Sequence, residues 1–136
     1  MRAIWLAPHN IHLEVTIESL KELDLCSLIV VWYEAYRDID SAVLDVVGQI
    51  EPDLVIYTGQ NSHIKVGTEA ICRIKQICPV VAMIHDGSDS SWAPLLHEYR
   101  ERDACSCVVN IDGNNEWEHG PNDITALTPI PTRFYE

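Results

Sequence analysis

Three apolar runs that each end in a short polar tip restrict the fold of this sequence more than any other feature. They are DLVIYTGQN from Asp53 to Asn61, PVVAMIHDGSD from Pro79 to Asp89, and CSCVVNIDGNN from Cys105 to Asn115. An unbroken Val/Ile run is buried on both faces, as in a parallel strand covered by helices. Residues just past the carboxyl ends of such strands line the crevice in which open α/β sheets bind ligands. The candidate site is therefore expected at the tips. There Asn61, His85, Asp86, Asp112 and Asn114 supply amides, acids and an imidazole suited to hydrogen bonding a polyhydroxylated ligand.

Around these runs the period switches repeatedly between strand and helix. Arg2 to Ala7 reads as a strand stopped by Pro8, and a helix is expected from about Ile11 to Asp24 on the stripe Leu13, Ile17, Leu20 and Leu23. Ser27 to Trp32 is the second strand. Asp38 or Asp40 can cap the next helix, whose stripe is Ile39, Val43, Val46, Val47 and Ile50, and Glu51-Pro52-Asp53 stops it. Thr68 to Ile77 is a short helix with Glu69 near its positive end. Val80 to Ile84 is the fourth strand, and the next helix takes in Leu95, Leu96 and Tyr99. Cys105 to Ile111 is the fifth strand, with a short sixth at Ile124 to Leu127. This order implies a three-layer α/β/α, Rossmann-like, doubly wound parallel sheet of five to six strands.

A chain of 136 residues with 47% apolar content suffices for one domain, so residues 1–136 are read as a single unit. The 9 basic against 21 acidic residues give a formal charge of -12, which repels phosphate backbones and anionic membrane surfaces. No nucleic-acid partner is expected. The opening RAIWLAP is too short for a secretory apolar segment, and no run approaches the ~18 apolar residues of a spanning helix. No membrane span and a cytoplasmic location are expected. Cys26, Cys72, Cys78, Cys105 and Cys107 are odd in number and show no zinc or C-x-x-C spacing, which points to packing.

The run IEPDLVIYTGQN, the PVVAMIHDGSD and VVNIDGN tips and the closing TPIPTRFYE resemble the amino-terminal domain of glycosyltransferases of the two-domain GT-B architecture. The resemblance implies strand order 3-2-1-4-5 with a further edge strand, and a connector at about 128–136 leading to a second domain. It also implies a sugar or other hydroxyl-bearing acceptor, with the nucleotide-sugar donor held mainly by that second domain. No cofactor is implied, and the chain alone is expected to transfer no sugar. The turn Ala7-Pro8-His9-Asn10 departs from the Gly-rich turn of many such domains.

On that resemblance an inverting transfer needs a base on the acceptor side, and Asp86 is the first candidate with His85 the second. Acceptor binding falls to His9, Asn10, Gln60, Asn61, Ser88, Asp89, Trp92, Asp112 and Asn114. Asp86-Gly87 and Asp112-Gly113 are equally open to a reading as turn chemistry. His9 and His12 share an edge with His85 and Asp86, but histidine at a polar helix start is ordinarily solvated or capping, so no metal is assigned. Trp32, Tyr33, Tyr36 and Trp92 fall after strands two and four, where they can stack on a sugar or simply pack.

The alternative is a stand-alone flavodoxin-like module that binds a small ligand or a protein. A phosphoacceptor receiver needs an acidic pair after strand one, an Asp ending strand three and a Lys ending strand five. Those places hold Pro8-His9, Thr58-Gly59 and Asp112. The cobalamin motif D-x-H-x-x-G and a Gly-rich phosphate loop are likewise absent.

Overall fold

Strands and helices alternate through the computed structural model, which describes residues 1–9, 11–59, 64–85, 93–111 and 120–126, with backbone alone at 11, 12 and 85. The strands are β1 (Arg2–Ala7), β2 (Ser27–Trp32), β3 (Leu54–Tyr57), β4 (Val80–His85), β5 (Cys107–Ile111) and β6 (Ile124–Ala126). The helices are α1 (Ile11–Glu22), α2 (Ile39–Ile50), α3 (Thr68–Lys75) and α4 (Ala93–Glu101). All strand pairs are parallel, in the order β2-β1-β3-β4-β5-β6. The expected doubly wound parallel sheet is present. The expected order 3-2-1-4-5 is not: the chain steps outward from β1 to β2 and then returns across β1 to place β3 on its other side.

Side-chain alternation divides the core into two layers. Ile4 and Leu6 of β1 join Val31, Val55, Tyr57, Val80, Ala82 and Val108 beneath α2, α3 and α4. Trp5 and Ala7 point the other way, toward Leu13 and Ile17 of α1, with Met83 and Ile111 on the same face. The α2 stripe works as its spacing predicts, since Val43 and Val47 are fully buried, each adding about 1.5–3 kcal/mol. Asp38, not Asp40, caps this helix, its carboxylate accepting the Ser41 N–H at 3.2 Å. Asp40 instead accepts the Gly67 N–H at 2.7 Å, and a Cβ at 67 would strike that carboxylate. A side chain at 67 would push Asp40 out of this hydrogen bond.

Helix ends account for the small differences from expectation. The chain leaves α1 at Glu22 through Asp24, which sits in the left-handed region at φ 49°. Leu23 therefore drops off the stripe and is 58% exposed. Glu51 at φ 51° turns the chain out of α2 in the same way before Pro52. The fifth strand starts at Cys107 because Ser106 bridges into β4, its N–H donating to Val80 O at 2.7 Å and its Oγ accepting the Val80 N–H at 3.2 Å.

Cys78 and Cys105 are core residues and Cys72 packs against the core, whereas Cys26 and Cys107 are partly exposed. Burial pushes the Cys105 thiol up to about 12. It also raises the Tyr57 and Tyr99 phenols far above their usual range. The unfolded chain ionises these groups from their ordinary values of 9.0 and 10.0, while the folded chain holds them neutral and so binds more protons. Their contribution is complete below about pH 9 and is lost as pH rises toward the folded values. Stability at about pH 11 is expected to fall well below that at about pH 8, with tyrosinate absorbance from Tyr57 and Tyr99 appearing only as the circular dichroism collapses. Complete tyrosine ionisation in a chain that keeps its native spectrum would contradict this. No helix among the described residues is long and apolar enough to cross a membrane.

Candidate functional site at the carboxyl edge of the sheet

In this strand order the connections leaving β1 and β3 diverge, α1 to one face and α3 to the other, so the crevice of an open sheet falls between these two strands. The tips of β1, β3, β4 and β5 lie side by side on one edge, as the sequence implies. They are not level. Leu6, Tyr57, Ala82 and Val108 share one row of the sheet, yet β4 runs on to His85, which pairs with Ile111. That is three residues beyond Ala82, or about 10 Å. The β4 and β5 ends form a wall beside a lower floor at β1 and β3.

Thr58 closes that floor. Its N–H donates to Leu6 O at 3.0 Å, its Oγ1 accepts the Trp5 indole N–H at 3.1 Å, and its carbonyl accepts the Tyr33 hydroxyl at 2.7 Å. Trp5 and Tyr33 reach it from opposite faces of the sheet, and all three residues are buried. Pro8 and Gly59 beside it are also buried. The requirement behind this knot is simple: a tryptophan or tyrosine inside the core must find a partner for its polar atom.

The loop leaving β3 is tied down at its far end. The Tyr57 hydroxyl accepts the Val66 N–H at 3.1 Å, and the Tyr57 ring sits between Tyr33 at 6.1 Å and Tyr99 at 5.9 Å, the latter edge-on. Glu98 of α4 accepts the Thr68 hydroxyl at 2.5 Å. This hydrogen bond leads the causes that hold the Glu98 carboxyl below its ordinary value, followed in the same direction by Lys65. Together these contacts fasten α3 to α4.

Of the residues expected in the site, His9 is exposed on the rim. Its N–H donates to Glu34 Oε1 at 2.5 Å, its Nε2 lies 3.3 Å from Glu14 Oε1, and its ring leans on Trp32 at 5.4 Å. His85 ends β4, with its side chain outside the described set. Asn10, Gln60, Asn61, Asp86, Ser88, Asp89, Trp92, Asp112 and Asn114 lie outside the described residues, as does the stretch at 128–136. The aromatic group splits. Tyr33 is buried on the α2 side, Trp32 is half-buried on the α1 side, and Tyr36 is 43% exposed, so Trp32 and Tyr33 share no surface.

Sequence reasoning passed over Thr58 as a hub, Glu34 as the acceptor for the β1 turn, and Asp123. The Asp123 side chain is 1% exposed and pairs with Arg100. Its carboxylate also accepts the Gly120 N–H and, at 2.6 Å, the Val108 N–H. A polar residue at the end of an apolar strand, with a core Trp two residues from the end of its neighbour, was the available signal for Thr58. Among the described residues, no group of three or more His, Cys, Asp or Glu is placed to hold a metal ion. At the turn after β1 the His9 N–H is taken by Glu34, and the Thr58 N–H belongs to the ladder with β1.

No family model matches the chain, and no curated protein matches it. Among solved structures it is similar to the crystal structure of FixJ-N, with a TM-score of 0.51 over 99% of this chain and 87% of that one, at 9% identity. At that identity the likeness is one of fold. FixJ-N has the flavodoxin-like receiver-domain fold, and the β2-β1-β3-β4-β5 order seen here is the flavodoxin-like order. This corrects the sugar-transfer reading. The resemblance to a GT-B glycosyltransferase rested on strand-and-tip patterns shared by both folds, and the order it implied is absent. The role of Asp86 or His85 as a transfer base rested on that resemblance, and both side chains lie outside the described residues. The fold class is α/β, flavodoxin-like, with a parallel sheet.

Proposed function

We propose that this protein is a binding module of flavodoxin-like fold that works by engaging a protein partner. The observation that carries the reading is Thr58. Where a phosphoacceptor domain needs an ionised carboxylate ending β3, this chain has a buried hydroxyl, an N–H and a carbonyl each held within the fold. Pro8 and His9 stand where the acidic pair would follow β1. A scaffold with those positions spent on its own packing has surfaces to offer and no described carboxylate on the crevice floor. The likeness to FixJ-N supports the scaffold and adds nothing at the level of residues.

Three measurements test this reading. Incubation with acetyl phosphate and magnesium is expected to leave the mass of the chain unchanged, and flavin mononucleotide to leave its melting temperature unchanged. Selection against a random peptide display library is expected to enrich related sequences that bind in the micromolar range. A phosphoryl adduct, or a flavin-dependent rise in melting temperature, would replace the partner-binding reading with a small-ligand one.

A further inference from the structure

We propose that the free edge of β2, with the acidic groove beside it, receives an extended basic segment of the partner, which adds to the sheet as a further strand. The inference rests on the partner-binding reading above and names the surface and its chemistry.

Among the described residues β2 ends the sheet, paired with β1 alone. The Ser27 N–H donates to Met1 O at 3.0 Å, so by alternation Ser27, Ile29 and Val31 turn their backbone groups toward β1. Leu28, Val30 and Trp32 turn theirs outward. Exposed edges are normally guarded by charge, proline, bulges or brevity. SLIVVW has six residues and none of those guards. The opposite edge, β6, has three residues.

Two of these residues, Val30 and Trp32, also line a groove. An open cleft of about 640 Å³ runs between β2 and α1, with Ile17, Val30 and Trp32 as apolar lining, Glu14, Glu18 and Glu22 along the helix, and Lys21 as the one base among the described lining residues. The glutamates are spaced four apart, on one side of α1. An added strand would set alternate side chains on this face. Lysine or arginine there lays its methylenes over Val30 and Trp32 and brings its charge to the glutamates. The intervening side chains fall on the Ile29 side, beneath α2, where apolar residues fit.

Charge decides the occupant. A second copy paired about an axis normal to the sheet would set α1 against α1 and bring Glu14, Glu18 and Glu22 against their images. About an axis in the sheet, α1 would face α2, which has no base and carries the exposed Asp38, Asp40 and Asp45 at its cap and on its surface. Either pairing opposes like charges in a chain of net charge -12. A basic partner strand is attracted by the same field.

The test is a titration of the full chain with an amidated peptide of about eight residues alternating lysine with valine, a length typical of strands. A counterpart with glutamate in place of lysine serves as control. The lysine peptide is expected to slow hydrogen exchange at Leu28, Val30 and Trp32 by roughly tenfold or more, and the control to leave it unchanged. Val30→Pro removes an outward N–H without touching the β1 ladder, and is expected to abolish protection in a folded chain. Should that variant unfold, Glu18→Lys with Glu22→Lys on the helix surface decides, weakening binding by roughly tenfold. Equal binding of both peptides, absent protection, or an edge already paired in a dimer by sedimentation would overturn the proposal. Library-selected peptides that bind without protecting β2 would sink the site and leave the partner-binding reading intact. Failure of every peptide to bind would sink the reading itself.

Discussion

Trp5→Ala is expected to destabilise the protein by about 3–5 kcal/mol, the range for truncating a large aromatic in a packed core. Trp5 is fully buried at the centre of the α1 layer, beside Leu13 and Ile17. A typical domain has only about 5–15 kcal/mol in hand, so much of this chain would unfold under mild denaturant. Part of the loss comes from packing and part from the indole hydrogen bond to Thr58. Thr58→Val keeps the shape and leaves the buried N–H without its acceptor, at about 1–3 kcal/mol. A double-mutant cycle with Trp5→Phe separates the two, since the cycle isolates the pair when each change removes only their shared contact. Urea midpoints at constant slope report all of these values. A loss under about 1 kcal/mol for Trp5→Ala would mean that the β1–β3 floor is not held as described.

Asp123→Ala should produce the second large effect, about 1–3 kcal/mol, because it leaves the buried Val108 N–H without its acceptor. The carboxylate holds Arg100, whose side chain is 23% exposed, together with the Val108 and Gly120 amides. Asp123→Asn keeps an oxygen but no charge and should cost less. β6 is short and its Ile124 is 55% exposed, so beside the backbone ladder to β5 the side-chain bonds of Asp123 hold it in place. Hydrogen exchange therefore distinguishes local from global loss: amides of β6 are expected to lose protection first, while those of β1 keep theirs. Uniform loss across the sheet, or none, would contradict this placement.

Much of the local structure was legible. β1 and β2 begin and end where the apolar runs do, at Arg2–Ala7 and Ser27–Trp32, because a strand covered on both faces needs an unbroken apolar run. The α2 stripe and its Pro52 stop were likewise local signals. Leu23 was misplaced because the left-handed residue at Asp24 ends α1 at Glu22, one residue before the stripe does. For the site, the sequence placed the tips of β1, β3, β4 and β5 on one edge, and the parallel sheet brings them there.

The sequence by itself determined the alternation of strand and helix, the burial of the Val/Ile runs and the acidic balance, since each depends on residue type and spacing within one segment. Only the tertiary structure decided which strands are neighbours. A crossover helix is amphipathic whichever strand follows it, so the step from β2 back across β1 to β3 leaves no mark in the local pattern. That step set the crevice between β1 and β3, turned Thr58 into the meeting point of Trp5 and Tyr33, and left β2 rather than β3 at the open edge of the sheet.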